Sequence, residues 1–170
     1  MRRMLVAAVA TLAALPASAG AQSRDLWTTV NACNTAAHPN QMGVRGRMPG
    51  DGTHAKMYMR FTAQYRDPES HSWVSMVGDG RSPWIYAGSA LFSHQETGFT
   101  FDFDPPQAGD RFVFRGVAEF QWRARKRSHG KVHVAVVGSA RLHTEAGHPS
   151  TGADPAGYSS AACVMEAPAG

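Results

Sequence analysis

Between Lys56 and Arg66 every second side chain is apolar, and this spacing constrains the chain more than any other feature. On an extended strand Met57, Met59, Phe61, Ala63 and Tyr65 share one face, with Lys56, Tyr58, Arg60, Thr62, Gln64 and Arg66 on the other. A helix of 3.6 residues per turn would scatter the same apolar set around its axis. Phe99, Phe101 and Phe103 alternate with Thr100, Asp102 and Asp104 in the same way. The longest run, Asp110 to Arg125, sets Phe112, Phe114, Gly116, Ala118, Phe120, Trp122 and Ala124 against Arg111, Val113, Arg115, Val117, Glu119, Gln121, Arg123 and Arg125. A turn over Lys126–Gly130 and a valine-rich run from Lys131 to Leu142 make this a long hairpin. Shorter strands are predicted at Asp25–Cys33, Gln41–Arg47, Ser72–Val77, Trp84–Phe92 and Ser159–Met165. Between them stand turn clusters such as Pro49-Gly50-Asp51-Gly52, Asp67-Pro68-Glu69-Ser70 and Gly78-Asp79-Gly80. Seven to nine short antiparallel strands with no amphipathic helix predict an all-β sandwich.

The first residues follow a different rule. A basic head, Met1 to Met4, precedes an eleven-residue apolar run, Leu5 to Leu15, interrupted only by Thr11, and then Pro16 and the small-x-small sites Ala17-Ser18-Ala19 and Ala19-Gly20-Ala21. This is the pattern of a cleavable secretory leader. The apolar run is about half the roughly 20 residues a bilayer span needs. The expectation is a signal peptide over 1–21, with the mature chain starting at Gln22 or Gly20. One domain follows over 22–166, then a frayed tail over 167–170, with no transmembrane segment after cleavage and a secreted or extracytoplasmic location.

Removal of the leader takes away two of the 17 Lys and Arg, Arg2 and Arg3, and lowers the formal charge from +4 to +2. That balance does not predict a nucleic-acid partner, which would call for clustered basic charge. The one basic run, Arg123, Arg125, Lys126 and Arg127, falls at a hairpin turn, where charge is commonly solvated. Two cysteines are present, Cys33 early and Cys163 late. In an oxidising compartment they are expected to pair.

The segment Thr100-Phe101-Asp102-Phe103-Asp104-Pro105-Pro106-Gln107-Ala108-Gly109-Asp110-Arg111-Phe112-Val113-Phe114-Arg115 resembles the junction between the fifth and sixth strands of fibronectin type III and related immunoglobulin-like domains. There an alternating strand enters a Pro-x-x-Gly turn and an aromatic opens the next strand. Phe112 stands where those domains place a corner tyrosine, and has no hydroxyl for the corner hydrogen bond. The wider chain is similar to uncharacterised exported proteins of actinobacteria. The shared marks are Cys33, the Gly-Val-Arg-x-x-Met-Pro-Gly segment at Gly43 to Gly50, the Phe-x-Trp-Arg strand at Phe120 to Arg123, and Cys163. The resemblance implies an immunoglobulin-like antiparallel β-sandwich. It brings no activity and no catalytic residues.

Catalytic and metal constellations are weakly represented. His129 and His133 have a spacing that would bring two ligands together on a helix, but they lie in a turn and a strand. Met42, Met48, Met57 and Met59 could suit Cu(I), yet Met57 and Met59 share a face with Phe61 and are more simply core filler. No Gly-x-Ser-x-Gly elbow occurs. Glu119 stands among arginines, as in an ion-pair lattice. The reading is therefore non-enzymatic, with no catalytic residue, metal or cofactor. The outer face of the long hairpin offers Arg115, Glu119, Gln121, Arg123, Arg125 and His133 for recognition of a protein, glycan or cell-envelope component. Trp73, Trp84 or Tyr58 could join them. The alternatives are a simply solvated sheet face, and, in another functional class, a small secreted enzyme or metal-handling protein.

Overall fold

A computed structural model describes residues 25–167. The leader predicted over 1–21 and residues 168–170 of the predicted tail lie outside them. Nine strands follow one another: β1 (Trp27–Cys33), β2 (Gln41–Pro49), β3 (Lys56–Arg66), β4 (Trp73–Ser75), β5 (Ile85–Ser89), β6 (His94–Asp102), β7 (Arg111–Ser128), β8 (Lys131–His143) and β9 (Cys163–Glu166). All pair antiparallel. One sheet has three strands in the order β1-β2-β6. The other has six, in the order β4-β3-β7-β8, with β5 also on β3 and β9 also on β7. The larger sheet is strongly curled. Among the described residues no helix is long and apolar enough to cross a membrane.

The two sheets enclose one core, built by the alternation seen in the sequence. Val30, Met42, Val44, Met48 and Phe101 enter it from the small sheet, and Met57, Met59, Phe61, Ala63, Phe114, Ala118, Phe120 and Met165 from the large one. All four methionines considered as copper ligands, Met42, Met48, Met57 and Met59, are fully buried here as apolar packing. Gly116 of β7 packs against Val44 of the small sheet. A Cβ there would stand 2.8 Å from both methyls of Val44 and from Cγ2 of Thr144. Trp122 lies partly buried against the core, and its indole N–H donates to the carbonyl of Pro49 at 3.0 Å.

Two positions depart from simple alternation. Phe112, expected inside, is 42% exposed. It is on the inward-facing set of β7, but the covering rings reach only Phe114, which stacks on Phe103 with centroids 4.2 Å apart, while the cross-strand partner of Phe112, Met165, stays buried. Val117, expected on the wet face, is fully buried between Arg115 and Glu119. Thr62 and Gln64, beside it on β3, are buried too. Long side chains on the outward face close over its middle.

Cys33 ends β1 and Cys163 begins β9, and they form a disulfide with Cα atoms 5.3 Å apart. Because β1 belongs to the small sheet and β9 to the large one, this bond staples the two layers. Toward the other end of β7 the pairing with β3 stops at Lys56, opposite Arg123, and β7 and β8 continue alone as a two-stranded ribbon. Its turn places His129 at φ 49° and Gly130 at φ 75°. Positive φ at both central residues is the type I′ geometry, whose twist matches that of the flanking strands.

Candidate functional site

The outward face of the large sheet is assembled from directly opposed pairs: Lys56 with Arg123, Tyr58 with Gln121, Arg60 with Glu119, Gln64 with Arg115. Rings from β4, β5 and the segment between them, on the side of β3 away from β7, lie over these side chains. The guanidinium of Arg115 sits 4.4 Å from the ring of Trp73, and that of Arg66 5.5 Å from the same ring. Arg60 stacks on Trp84 at 4.4 Å. Arg123 lies against Tyr58 at 4.2 Å and Trp84 at 4.8 Å. Tyr86 extends the row, 5.5 Å from Tyr58 and 5.9 Å from the Lys56 ammonium. Each such contact contributes about 0.5–1 kcal/mol at exposed sites, and more where water is excluded.

Hydrogen bonds fasten the arginines in place. Nε of Arg60 and an Nη of Arg81 donate to the same oxygen of Glu119, at 2.9 and 3.1 Å. Arg115 donates to Gln64 at 2.8 Å, and Arg123 to Gln121 at 2.9 Å. Burial pushes the Glu119 carboxyl up, but the hydrogen bonds and charges of Arg60 and Arg81 outweigh it and hold the group below its usual range. Burial first, and then the charges of Arg66 and Arg141, pull the Arg115 guanidinium down from its ordinary value.

The six residues predicted to form a recognition face therefore divide. Arg115, Glu119 and Gln121 belong to this ladder, engaged with their own neighbours. Arg123 is the last rung, and Arg125 stands exposed beyond it. His133 is on the opposite face of the ribbon, and this corrects its grouping with the arginines. A bulge pairs Trp122 with Gly138 but Arg123 with Val136. The extra residue turns Val136, Val134 and Val132 toward the side of Arg123, Arg125 and Arg127, while His133 faces with Lys126. Arg60, Arg115, Gln121 and Arg123, expected to be exposed on the outward face, are half-buried, because of the rings and partners laid over them.

Where the ladder meets the ribbon, the β2–β3 loop folds alongside and leaves an open groove of about 850 Å³. Its walls carry Tyr58, His54, Lys56, Arg123, Arg125 and Lys126, with Val134 and Val137 from β8. Asp51 is the one carboxylate in the lining. It accepts from the hydroxyl and the backbone N–H of Thr53, which hold its carboxyl below the usual range. Among the described residues no carboxylate forms an ion pair with Lys56, Arg123, Arg125 or Lys126. The groove is a cationic, aromatic-walled cleft suited to a ligand with negative charge. Sequence reasoning did not include Lys56, His54 or the β2–β3 loop, since only the fold brings them to the hairpin. Among the described residues no group of three or more His, Cys, Asp or Glu could hold a metal ion.

Comparison of the chain with protein-family models, curated proteins and solved structures finds no match.

Proposed function

We propose that the chain is an exported, non-enzymatic recognition domain of immunoglobulin-like build. It binds a negatively charged protein, glycan or other component of the cell envelope at the groove beside the ribbon. The observation that carries this reading is the groove itself: Lys56, Arg123 and Arg125 share one face there with Tyr58, Lys126 borders it, and Asp51 is committed to Thr53. Strand order supports the build. The first, second and sixth strands form one sheet, and the third, seventh and eighth are neighbours in the other. Immunoglobulin domains distribute their strands in this manner, and the loops joining the second to the third strand and the last two strands meet at one end to bind ligands. Here the corresponding connections are the β2–β3 loop and the ribbon. That argument is analogy of fold, and the charges in the groove are what give it chemical content. The disulfide agrees with an oxidising compartment.

Retention on separated protein, glycan and lipid fractions of a bacterial envelope tests the reading. Lys56→Gln with Arg125→Gln should abolish retention without moving the thermal midpoint. Retention equal to wild type would refute it.

A further inference from the structure

Beyond Arg123 the ribbon carries more apolar surface than a solvated turn requires. Val132, Val134, Val136 and Val137 are between 46% and 66% exposed. Cross-strand register fixes their neighbours: Val136 lies opposite Arg123, Val134 opposite Arg125 and Val132 opposite Arg127. One face of the ribbon is therefore a row of valines about 5 Å from a parallel row of arginines. Between Glu119 and Glu145 the sequence holds no Asp or Glu, and it holds six Lys and Arg: Arg123, Arg125, Lys126, Arg127, Lys131 and Arg141. The outer edge of β8 pairs with no strand among the described residues.

We propose that this valine–arginine face docks on an anionic lipid bilayer, an inference that rests on the ribbon end being the contact end of the domain. The valines sit at the boundary between headgroups and acyl chains, and Arg125 and Arg127 remain at the level of the phosphates. Interfacial elements bury apolar side chains about 5–10 Å deep beside cations that attract acidic lipid. Arginine suits that position because its aliphatic stem lies along apolar surface while its head stays wet. A soluble polyanion would engage the cations and leave four valines in water. A strand added to the β8 edge would use its backbone and gain nothing from the arginine row on β7. Only a surface with charge above and hydrocarbon below uses both rows at once.

The test uses the chain from Gln22, which holds both sheets, the shared core and the disulfide but lacks the apolar run at 5–15. Its binding is measured by co-sedimentation with phosphatidylcholine vesicles, with and without phosphatidylglycerol. Binding should appear with the acidic lipid and fall steeply as salt rises. Arg125→Gln and Arg127→Gln should each weaken it about fivefold, the equivalent of about 1 kcal/mol per cation near such a surface. Val134→Ser with Val136→Ser should weaken it about tenfold or more, and the far-ultraviolet spectrum should stay unchanged because these side chains are already exposed. If the serine variant binds like wild type while the arginine variants do not, the cations alone act, and lipid docking is refuted. Absence of binding to acidic vesicles refutes it as well. In either case, envelope retention that depends on Lys56 would leave the proposed function standing, and loss of both would remove both.

Discussion

Replacing Cys33 and Cys163 together by alanine should lower the unfolding free energy by about 3–5 kcal/mol. The bond closes a segment of 130 residues. For a loop of that length the entropic expression gives about 5 kcal/mol at 25 °C. Two features of the structure bear on how much of this is realised. Cys163 is fully buried, so the missing sulfur adds a small packing loss. In addition, β9 has only four residues, paired to β7 at its first strand positions, and the disulfide is its covalent tie to the small sheet. Residual structure in the unfolded chain works the other way, which sets the lower bound of about 3 kcal/mol. Urea unfolding followed by tryptophan fluorescence measures both quantities that matter. The midpoint should fall, and the slope m should rise, because an unfolded chain freed of its cross-link exposes more surface. A variant with unchanged midpoint and unchanged slope would refute the reasoning, since the long loop could not then be restricting the unfolded ensemble.

Two further outcomes test the faces and the ladder. Phe120→Ala should cost about 3–5 kcal/mol, as for a fully buried aromatic, whereas Phe112→Ala, on the exposed end of the same face, should cost less than about 1.5 kcal/mol; paired thermal melts decide it. For Glu119, whose carboxyl is held below its unfolded value near about 4.3, the ladder contributes stability above that value and loses it as pH falls through the folded one. After solvent screening the contribution is about 1 kcal/mol at neutral pH, and melts of Glu119→Gln against wild type should converge as pH falls through the folded value.

The strands were legible because period two is a physical requirement of a sheet with one face in a core. Lys56–Arg66 alternates without interruption, and the strand found there has those bounds. By contrast, the first half of β6, His94 to Gly98, is polar throughout and gives no alternation to read. It becomes strand because β2 offers a paired partner along its length, from Pro49 opposite His94 to Gln41 opposite Asp102. Phe112 shows a limit of another kind. Alternation reports which way a side chain points, and not whether the opposite sheet extends far enough to cover it. The same limit explains Val117, which points outward as alternation requires and is nonetheless sealed in by its neighbours.

The contact surface depends on one residue of register. Simple alternation run back from Ser139, opposite Gln121, would put Val137, Ala135 and His133 beside Arg123 and Arg125. The bulge exchanges that set for Val136, Val134 and Val132. Nothing in the stretch Val134-Ala135-Val136-Val137 marks where the extra residue goes, because each of these side chains is tolerated in a strand on either face. The chemical consequence is nevertheless large. Arginines opposite alanine and histidine would make a wet polar ribbon, held in solution by its charge. The same arginines opposite valines make a surface that water covers poorly and an anionic boundary covers well. The bulge also increases the local twist, and it occurs just where β3 ends and the ribbon leaves the sheet. The irregularity that hides the surface from sequence patterning is therefore the one that creates it.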